Sequence, residues 1–486
     1  MKEHYDIAII GGGVIGCSIA RHLSRFHLKI ILIEKGPDVA NDTSRANSGV
    51  VHAGYANPIG SLKAKLCVQG NRMFDEFTQE LGVPFKRVGK LVIGHGDHGL
   101  KGIQRLYDQG QANSVPGLSM ITGGKISGLE SNITADHAML SLSSGITDPM
   151  GLTIALANNA HRNGVDFLLE SEVVSIESSS PGFKLRTANN SISCSTIINS
   201  AGLFSDRIAS MAGDNRFTIH PCRGEYFVVD KDQGHLISRM IYPVPPADHR
   251  VLGVHLTPTI DGNILIGPTA EFIDEKLDRA TTQEQMRILL SEAKDLLPSL
   301  PLDSVIQSFS GIRPKINDAT CTEVGDFIIE ESPKVPGLIN LIGIESPGLT
   351  CSPSLPLVVT DILSDIIILK EKDTWDPVEP IRKPFRDMNS QERIEAIQLY
   401  PDHGQIICRC EHVTRKEIID AIKNPIGARS MISVKKRTRA GMGRCQGGFC
   451  TPRIVGIMHE LGIEPEDITL KGGHSNLFVK EVVDDV

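Results

Sequence analysis

The chain lacks any apolar stretch long enough to cross a membrane. A membrane-spanning helix needs about 20 consecutive apolar residues, and the best candidate, from Leu355 to Leu369, is interrupted by Asp361 and Asp365. The N-terminus also lacks the apolar run of a secretory signal, since Lys2-Glu3-His4 leads directly into a predicted strand. We therefore expect a cytoplasmic protein, and leave open a peripheral position at the membrane through a partner.

The sequence also has no excess of positive charge. Its 50 lysine and arginine residues face 58 aspartate and glutamate residues, which gives a formal net charge of −8. Proteins that bind nucleic acid carry a basic patch or stripe, so this class of function is not expected. The 486 residues, of which 40% are hydrophobic, suffice for two or three globular domains with ordinary cores.

Ten cysteines are present, but we expect no disulfide framework, because a cytosolic setting keeps thiols reduced. Six are scattered and are expected to act as small buried hydrophobes: Cys17, Cys67, Cys194, Cys222, Cys321 and Cys351. The other four form two tight pairs, Cys408 with Cys410 and, after 34 intervening residues, Cys445 with Cys450. Two such pairs can ligate a [2Fe–2S] cluster or a tetrahedral zinc ion. The C-x-C pair is closer than the spacing usual for zinc.

The stretch from residue 5 to residue 35 carries the clearest chemical signal. A buried strand is predicted over 5–10, and Gly11, Gly13 and Gly16 follow it in the order G-x-G-x-x-G, at the start of a helix predicted over 14–26. These glycines allow the tight turn, the approach of a pyrophosphate and the close packing of helix on strand, respectively. A second strand ends on Glu34, where a carboxylate can accept both ribose hydroxyls. The sequence therefore predicts a dinucleotide site without a 2′-phosphate.

Later segments indicate how the chain is organised. Helices are predicted over 151–163, 283–297 and about 353–370, and a mixture of strands and short helices over about 84–145. Residues 218–267 alternate and are rich in turns, which is typical of an antiparallel sheet. Residues 371–405 are charged and contain four prolines, so they are predicted to be a linker before a separate C-terminal unit.

Taken together, these segments resemble the FAD-dependent oxidoreductases of the D-amino-acid oxidase type. Within that group they resemble glycerol-3-phosphate dehydrogenases or oxidases and L-2-hydroxyglutarate oxidases. The motifs that carry the resemblance are Gly11-Gly12-Gly13-Val14-Ile15-Gly16, Asn47-Ser48-Gly49-Val50-Val51-His52-Ala53-Gly54, Gly60-Ser61-Leu62-Lys63-Ala64-Lys65, Asn199-Ser200-Ala201-Gly202-Leu203, Gly311-Ile312-Arg313-Pro314 and Ile344-Glu345-Ser346-Pro347-Gly348-Leu349-Thr350.

The resemblance implies a mixed α/β and α+β fold. A Rossmann-like FAD-binding domain is expected at about 1–85, 145–215 and 325–370. A substrate domain built on an antiparallel sheet is expected at about 86–144 and 216–324. After the linker, residues 406–486 are expected to form a small iron–sulfur domain. Its cysteine segments resemble the bacterioferritin-associated-ferredoxin-like [2Fe–2S] domain, which implies Cys408, Cys410, Cys445 and Cys450 as ligands; zinc and free thiols are the alternatives.

Three residues are predicted to act on the substrate. His52 is the expected base, because histidine titrates near neutrality and can take the proton of a hydroxyl group. His255 is the competing base, and a purely structural role for His52 is the alternative. Arg313 fits an anionic substrate, because a guanidinium group binds phosphate or carboxylate in a bidentate manner. Further substrate contacts are predicted at Ser48, Arg223, Tyr242 and Lys315.

The remaining cofactor contacts follow from the polar loop over 41–49 and from the motifs above. The helix predicted after Ser346-Pro347-Gly348 would place its positive end near the flavin. The full set of predicted FAD contacts is Gly11, Gly13, Gly16, Glu34, Lys35, Ser44, Arg45, Asn47, Ser48, Gly49, Val174, Ala201, Gly202, Gly311, Gly348, Leu349 and Thr350.

The basic residues around the last two cysteines are Lys435, Lys436, Arg437, Arg439 and Arg444. They can offset the negative charge of a cluster, dock an acidic partner or form a solvated face. The expected activity is the oxidation of a CH–OH group of a small anion, sn-glycerol 3-phosphate first, with electrons passing through the cluster to an acceptor protein or quinone-linked subunit. L-2-hydroxyglutarate, an amino or imino acid, and a non-catalytic redox flavoprotein are the alternatives.

Overall fold

The computed structural model describes residues 4–179, 182–245, 253–321, 324–380 and 383–478. Its α-helices, numbered α1 to α13 in chain order, are Val14–Leu23, Leu62–Glu80, Gly96–Ala112, Gly124–Leu129, Pro149–Arg162, Ser205–Met211, Gln283–Leu296, Gly348–Cys351, Leu355–Ser364, Ser390–Leu399, Arg415–Ile422, Met431–Thr438 and Thr451–Glu460. Among the helices in these ranges, none is long and apolar enough to cross a membrane.

The strands, numbered β1 to β22 in chain order, are His4–Ile10, Ile30–Ile33, Val50–Val51, Phe85–Lys86, Lys90–Gly94, Leu118–Thr122, His137–Ser141, Gly145–Thr147, Asp166–Leu168, Ser175–Ser178, Phe183–Arg186, Ser191–Asn199, His220–Val229, Met240–Pro243, Leu256–Pro258, Ile264–Ile266, Glu271–Phe272, Val305–Lys315, Ile328–Glu331, Leu338–Ile342, Ile406–Cys408 and Val413–Thr414. They form two large sheets and two small ones.

The first large sheet surrounds the glycine-rich turn. Strands β20, β12, β1, β2 and β9 lie side by side and are all parallel. Helices α1, α2, α5 and α9 cover one face, and a second apolar cluster covers the other. Because both faces are buried, β1 and β2 are apolar without alternation. The carboxyl ends of β1, β2 and β12 therefore meet at one edge, which is where parallel α/β sheets bind ligands.

The second large sheet carries the other wall of the site. Its strands run in the order β17-β13-β16-β15-β14-β5-β7-β6, and β18 pairs with the free side of β13 along ten register positions. The pairing is antiparallel except between β14 and β5, which are parallel. The predicted antiparallel sheet thus contains one parallel pair, because β14 joins a strand that comes about 150 residues earlier in the chain. Turn residues in the sequence indicate only hairpins between neighbouring strands, so they did not predict this pair.

Three predicted elements differ from the structure. Helix α1 ends at Leu23 rather than near residue 26, and Phe26 instead forms an isolated bridge with Glu371. The helix predicted over 353–370 is the shorter α9, and a separate short helix, α8, precedes it; Pro356 in the first turn of α9 favours the start of a helix there. The short helices predicted over 84–145 include α3, which has 17 residues.

The predicted linker over 371–405 also contains ordered structure. Its first part lies against the first domain, where the Trp375 indole N–H donates to Ser24 Oγ at 3.1 Å. Its second part forms α10, none of whose residues is buried, and this helix begins with a capping box of Asn389 and Glu392. The pattern N-x-x-E predicts such a start, so this helix was readable from the sequence and was missed.

The C-terminal domain packs against the first domain through a buried ion cluster. Asp38, in the loop after β2, is completely buried and receives Arg437 from α12, while Lys436 Nζ lies 3.3 Å from its carboxylate. Lys436 also donates to the carbonyl oxygen of Val39 at 2.6 Å and to Asn41 Oδ1 at 2.9 Å. Burial lowers the pKa of Lys436 to about 8. One short loop of the first domain thus supplies a buried anchor for the C-terminal domain.

We expect Asp38→Asn to destabilise the protein strongly. The substitution leaves two buried cations without a carboxylate, and breaking a buried ion pair in this way costs about 3–5 kcal/mol. The free energy of unfolding, measured by urea denaturation of the holoprotein, should fall by that order. The matched control is Asp420→Asn, which removes the partly exposed partner of Lys416 on α11 and should cost about 0.5 kcal/mol or less. Equal losses in the two variants would show that the interface does not depend on Asp38.

Candidate functional site

One long cavity runs between the two large sheets, and most of the predicted site residues line it. It begins at the carboxyl end of β2 and extends past the polar loop over 41–48 to a pocket between β13, β18 and the segment over 344–349. The predicted residues that line it are Gly11, Gly13, Glu34, Lys35, Ser44, Asn47, Ser48, His52, Ala201, Gly202, Tyr242, His255, Gly311, Arg313, Gly348 and Leu349.

The first end of the cavity has the geometry of a dinucleotide site. Gly11 has φ = +112°, and a Cβ there would lie 2.6 Å from the carbonyl oxygen of Ser200. A Cβ at Gly16 would collide with the Gly11 carbonyl, so Gly16 acts by close packing of α1 rather than by lining the cavity. Glu34 Oε2 accepts the N–H of Gly12 at 2.7 Å, which fixes the carboxylate beside the turn. The residues therefore fit an adenosine diphosphate unit.

The polar loop is held rigidly along the middle of the cavity. Ser44 Oγ accepts the N–H of Val14 at 2.9 Å, which ties the loop to the first turn of α1. Asn47 caps the loop internally, since its Oδ1 accepts the N–H of Gly49 at 2.9 Å. Thr43 donates to the carbonyl oxygen of Ile312 on β18 at 2.8 Å. The loop thus connects both sheets and forms a preformed cradle for a flavin.

His52 is positioned through its own backbone. Its N–H donates to Thr350 Oγ1 at 2.8 Å, and its carbonyl oxygen accepts Asn71 Nδ2 at 2.9 Å. Its Nε2 lies 3.4 Å from Ser346 Oγ. Burial lowers the pKa of His52 well below 6.5, and the charges of Lys90 and His255 lower it further. The imidazole is therefore neutral at pH 7 and able to accept a proton.

His255 lies across the pocket from the polar loop, stacked on Tyr242. The two ring centroids are 3.4 Å apart and the planes differ by 12°. Lys90, at the start of β5, lies beside the same tyrosine, with its Nζ 3.9 Å from the ring centroid. Lys90 is fully buried, and its Nζ has no hydrogen-bond partner in the described part of the chain. Burial lowers the pKa of Lys90 to about 7.

Arg313 projects from β18 into the same pocket. Its Nη2 donates to the carbonyl oxygen of Thr269 at 2.8 Å, and its Nη1 lies 3.4 Å from Cys222 Sγ. These contacts and a hydrogen bond with Tyr226 use only part of the guanidinium group, which has five N–H donors. The remaining donors are available to an anion in the pocket.

Two predicted substrate contacts lie outside the cavity lining. Arg223 donates to Glu271 and Asp278 at 2.7 Å each, so its charge is already neutralised. The cause is strand alternation: Cys222 pairs with Arg313 across β13 and β18, and the next residue along β13 points to the opposite face. Lys315 Nζ instead lies 3.2 Å from Glu345. The predicted substrate roles of Arg223 and Lys315 are therefore not supported by their positions.

Glu345 is a buried carboxylate that the sequence analysis did not single out. It lines the cavity and is also paired with Lys63 of α2, at 2.9 Å. Burial raises the pKa of Glu345, but the two lysines more than offset this and hold it below its ordinary value. The carboxylate is therefore ionised and fixes the segment that carries Ser346.

Four predicted cofactor contacts need a different description. Thr350 holds His52, and Gly49 (φ = +65°) turns the chain into β3. Val174 is 50% exposed and lies outside the lining, whereas its neighbour Val173 lines the cavity. Arg45 is also absent from the lining.

Arg45 lies near the C-terminal domain. Burial lowers the pKa of Arg45. Burial also lowers the pKa of Lys435 in α12, and the nearby charge of Arg45 lowers it further. The predicted contact of Arg45 with FAD stays a prediction.

The four clustered cysteines form a second site. Cys410 Sγ lies 3.6 Å from Cys445 Sγ, and the thiol of Cys450 hydrogen-bonds to Cys408. This bond, with further bonds from the backbone N–H groups of Gly441, Glu411 and Cys410, lowers the pKa of Cys408 to about 6. Such N–H···S bonds are typical of sites that stabilise thiolate ligands.

The arrangement is two pairs of thiols rather than one closed set. Among the described residues, no group of three or more histidine, cysteine, aspartate or glutamate side chains converges on a single ion position. Two pairs fit a centre with two iron atoms, each held by two thiolates. Cys408 and Cys450 are buried, Cys410 is half-buried and Cys445 is exposed, so the site opens to solvent on the Cys445 side.

Comparisons with known proteins agree with both sites. The family model described as "FAD dependent oxidoreductase" matches residues 6–361, and that described as "BFD-like [2Fe-2S] binding domain" matches residues 406–460. A glycerol 3-phosphate dehydrogenase of Caloramator mitchellensis is 43% identical over 468 residues, covering 96% of each chain. A mitochondrial L-2-hydroxyglutarate dehydrogenase of Nematostella vectensis is 30% identical, over 74% of this chain and 90% of its own.

A solved structure extends the comparison to the fold. The dithionite-reduced L-α-glycerophosphate oxidase of Mycoplasma pneumoniae, with FAD bound, superposes with a TM-score of 0.73 at 30% identity, over 78% of this chain and all of that one. The predicted fold class, an FAD-dependent oxidoreductase fold followed by a small iron–sulfur domain, is confirmed.

The unpaired Lys90 generates a prediction about stability. The unfolded chain holds the proton of this lysine up to its ordinary pKa of 10.5, whereas the folded protein releases it near pH 7. Between these values the unfolded state binds more protons, so this group costs stability at pH 7 and the cost shrinks as the pH rises. Lys90→Met should therefore raise the free energy of unfolding by roughly 2–4 kcal/mol at pH 7 and by less at pH 9.5.

The measurement is urea denaturation of the holoprotein at both pH values. The matched control is Lys86→Met, at an exposed lysine four residues earlier, which should change the free energy of unfolding by about 0.5 kcal/mol or less at either pH. If Lys90→Met destabilises the protein at pH 7, the lysine has a partner in the holoprotein and our account of its burial is wrong.

Proposed function

Because the chain belongs to the family of FAD dependent oxidoreductases and carries a C-terminal BFD-like [2Fe–2S] domain, we propose that it oxidises sn-glycerol 3-phosphate to dihydroxyacetone phosphate. The enzyme's cofactors are FAD and a [2Fe–2S] cluster. The proposal takes its substrate from the 43% identical glycerol 3-phosphate dehydrogenase, whose similarity covers both domains. The position of Arg313 is the structural observation that supports it best.

Arg313 places an anion-binding group beside two histidines. The other basic side chains of the cavity lining are Lys35 and Arg207, within the described residues. Both belong to the first end of the cavity: Lys35 follows Glu34, and Arg207 lies 3.2 Å from Glu172. At the substrate end, an anion therefore finds one guanidinium group, within a pocket that also contains His52 and His255.

This arrangement suits the removal of a hydride from a carbon and of a proton from the hydroxyl group on that carbon. FAD, when bound, supplies the acceptor for the hydride. Arg313 would hold the phosphate and so orient the substrate in the pocket. His52, neutral because it is buried beside Lys90 and His255, would take the hydroxyl proton as the carbon is oxidised. Ser346 Oγ, 3.4 Å from His52 Nε2, would keep the ring oriented until the substrate hydroxyl replaces it.

L-2-hydroxyglutarate is a second candidate substrate. The 30% identical L-2-hydroxyglutarate dehydrogenase favours it, and a guanidinium group binds carboxylate as readily as phosphate. That relative covers less of this chain and has lower identity, so we place it second.

The C-terminal domain indicates where the electrons go. A [2Fe–2S] cluster supplies one-electron transfer, which an enzyme that passes electrons directly to oxygen does not need. We therefore propose an external electron acceptor, either a soluble protein or a quinone-linked subunit that brings the enzyme to the membrane surface.

The substrate is tested by anaerobic titration of the holoprotein, with the flavin absorbance as the readout. sn-Glycerol 3-phosphate should bleach the flavin, and L-2-hydroxyglutarate should not. In Arg313→Gln the apparent Kd for glycerol 3-phosphate should rise about 10- to 100-fold, because one charge-assisted hydrogen bond contributes about 1.5–3 kcal/mol.

Glycerol, which has no phosphate, is the matched control for the arginine. It should reduce the wild type and Arg313→Gln equally slowly, since it offers Arg313 no anion. Bleaching by L-2-hydroxyglutarate alone would transfer the proposal to the second candidate, and bleaching by neither would overturn it.

The base is tested by single-turnover flavin reduction. His52→Gln should slow the reduction about 10²- to 10⁴-fold, the usual contribution of a general base, with unchanged FAD content. His255→Gln should have a smaller effect, and the exposed control His95→Gln should have none. A larger loss in His255→Gln than in His52→Gln would assign the base to His255.

A further inference from the structure

Some basic residues of the C-terminal domain form ion pairs with carboxylates, and others do not. Four of the five basic residues that the sequence suggested for docking an acidic partner are paired with carboxylates: Lys436 and Arg437 with Asp38, Arg439 with Asp261 and Glu411, and Arg444 with Asp230 and Asp232. Most of these carboxylates belong to the first 370 residues. The interface between the domains therefore neutralises these four cations.

Among the basic residues without an ion pair in the described part of the chain, Arg409 and Arg453 are the two that lie beside the clustered cysteines. Both side chains are exposed, and neither forms an ion pair or hydrogen bond with the residues that the structure describes. Both lie over the ring of Phe449, with guanidinium carbons 4.5 Å and 4.3 Å from its centroid. The phenylalanine is 37% exposed although it is fully apolar. We call these three residues the Arg–Phe–Arg surface.

The Arg–Phe–Arg surface adjoins the exposed side of the cluster. Arg409 lies between the ligands Cys408 and Cys410, and Phe449 directly precedes the ligand Cys450. The backbone N–H of Phe449 hydrogen-bonds to the sulfur of Cys445, the one fully exposed ligand. An electron that leaves the cluster towards solvent on this side therefore emerges beside the two unpaired arginines.

We infer that the Arg–Phe–Arg surface is the docking site of an acidic, one-electron redox protein that takes electrons from the cluster. Its two uncompensated positive charges would attract a negatively charged partner and raise the rate of encounter. Arginine and phenylalanine are enriched at protein interfaces, and a small contact suffices for transient electron transfer. Cation–π contact pre-orders the two arginines around the exposed ring.

The inference rests on the proposed function, because it assumes that the cluster is the exit for electrons. The electrons balance if the enzyme meets two acceptor molecules for each substrate molecule that it oxidises. The substrate loses two electrons and two protons on oxidation. Each acceptor molecule gains one electron, so two acceptor molecules are reduced per substrate oxidised.

The test uses the full holoprotein and two protein probes of opposite charge. The holoprotein is reduced with dithionite and freed of excess reductant. It is then mixed with rubredoxin, a small acidic iron protein, or with cytochrome c, which is basic. In Arg409→Glu/Arg453→Glu, the second-order rate constant for rubredoxin should fall at least about tenfold at low ionic strength. The constant for cytochrome c should rise. Salt should slow the reduction of rubredoxin by the wild type and affect the variant less.

The matched control has the same change in charge elsewhere on the domain. Arg429→Glu/Lys471→Glu reverses two exposed basic residues without ion pairs among the described residues, and it should leave both constants within about twofold. The cluster signal in electron paramagnetic resonance should be unchanged in both double variants. If the Arg409→Glu/Arg453→Glu variant loses the cluster, the Arg409→Gln/Arg453→Gln variant is used in its place. In that variant the rate constant for rubredoxin should fall less, and the constant for cytochrome c should not fall.

Two results would overturn the inference. One is an unchanged rubredoxin rate in a variant that keeps its cluster, and the other is a wild-type rate that does not depend on salt. Chemical reduction makes the test independent of the substrate, so failure of the proposed substrate and failure of this docking site are distinguished. If the flavin is not bleached by glycerol 3-phosphate while the rubredoxin effect is present, only the proposed function fails.

Discussion

The buried carboxylate of Asp38 is the constraint on which the joint structure of the two domains depends. It lies four residues after Glu34, so the loop that neutralises Lys436 and Arg437 is also a wall of the dinucleotide site. A buried charge is costly unless it is paired. The C-terminal domain therefore cannot leave this position without exposing or stranding two cations. One loop thus connects the cofactor site to the C-terminal domain, whose position is also held by the ion pairs of Asp230, Asp232 and Asp261.

The same cost of burying charge explains the character of the substrate pocket. Glu345 is held ionised by two lysines, whereas Lys90 has no carboxylate partner among the residues that the structure describes and loses its proton readily. The result is a pocket in which Arg313 is the principal positive charge and His52 is neutral. A neutral base beside a fixed cation suits an anionic alcohol, because the cation attracts the substrate without competing for its hydroxyl proton.

Much of the first domain was predictable from local patterns. The turn around Gly11, the carboxylate of Glu34 and the loop that carries Ser44 depend on residues close in sequence, and each lies where such motifs lie in parallel sheets. Arg223 and Lys315 lie outside the cavity lining, and their positions depend on strand register and on partners about 30 to 55 residues away. No local pattern specifies which of two neighbouring residues faces the cavity when the strand pairing is unknown.

Lys90 is a clearer example of a residue whose environment the local sequence does not predict. In the sequence it is the polar residue that opens a short apolar strand, and such lysines usually end in solvent. Only the parallel pairing of β5 with β14 places it beside Tyr242, and hence near His255.

The pairing of the arginines in the C-terminal domain also depends on tertiary contacts. Arg439 and Arg453 have the same charge and lie in the same domain, but an aspartate more than 170 residues earlier pairs with the first and leaves the second free. The charge available to a partner is therefore decided by tertiary contacts, after the domain interface has neutralised its share.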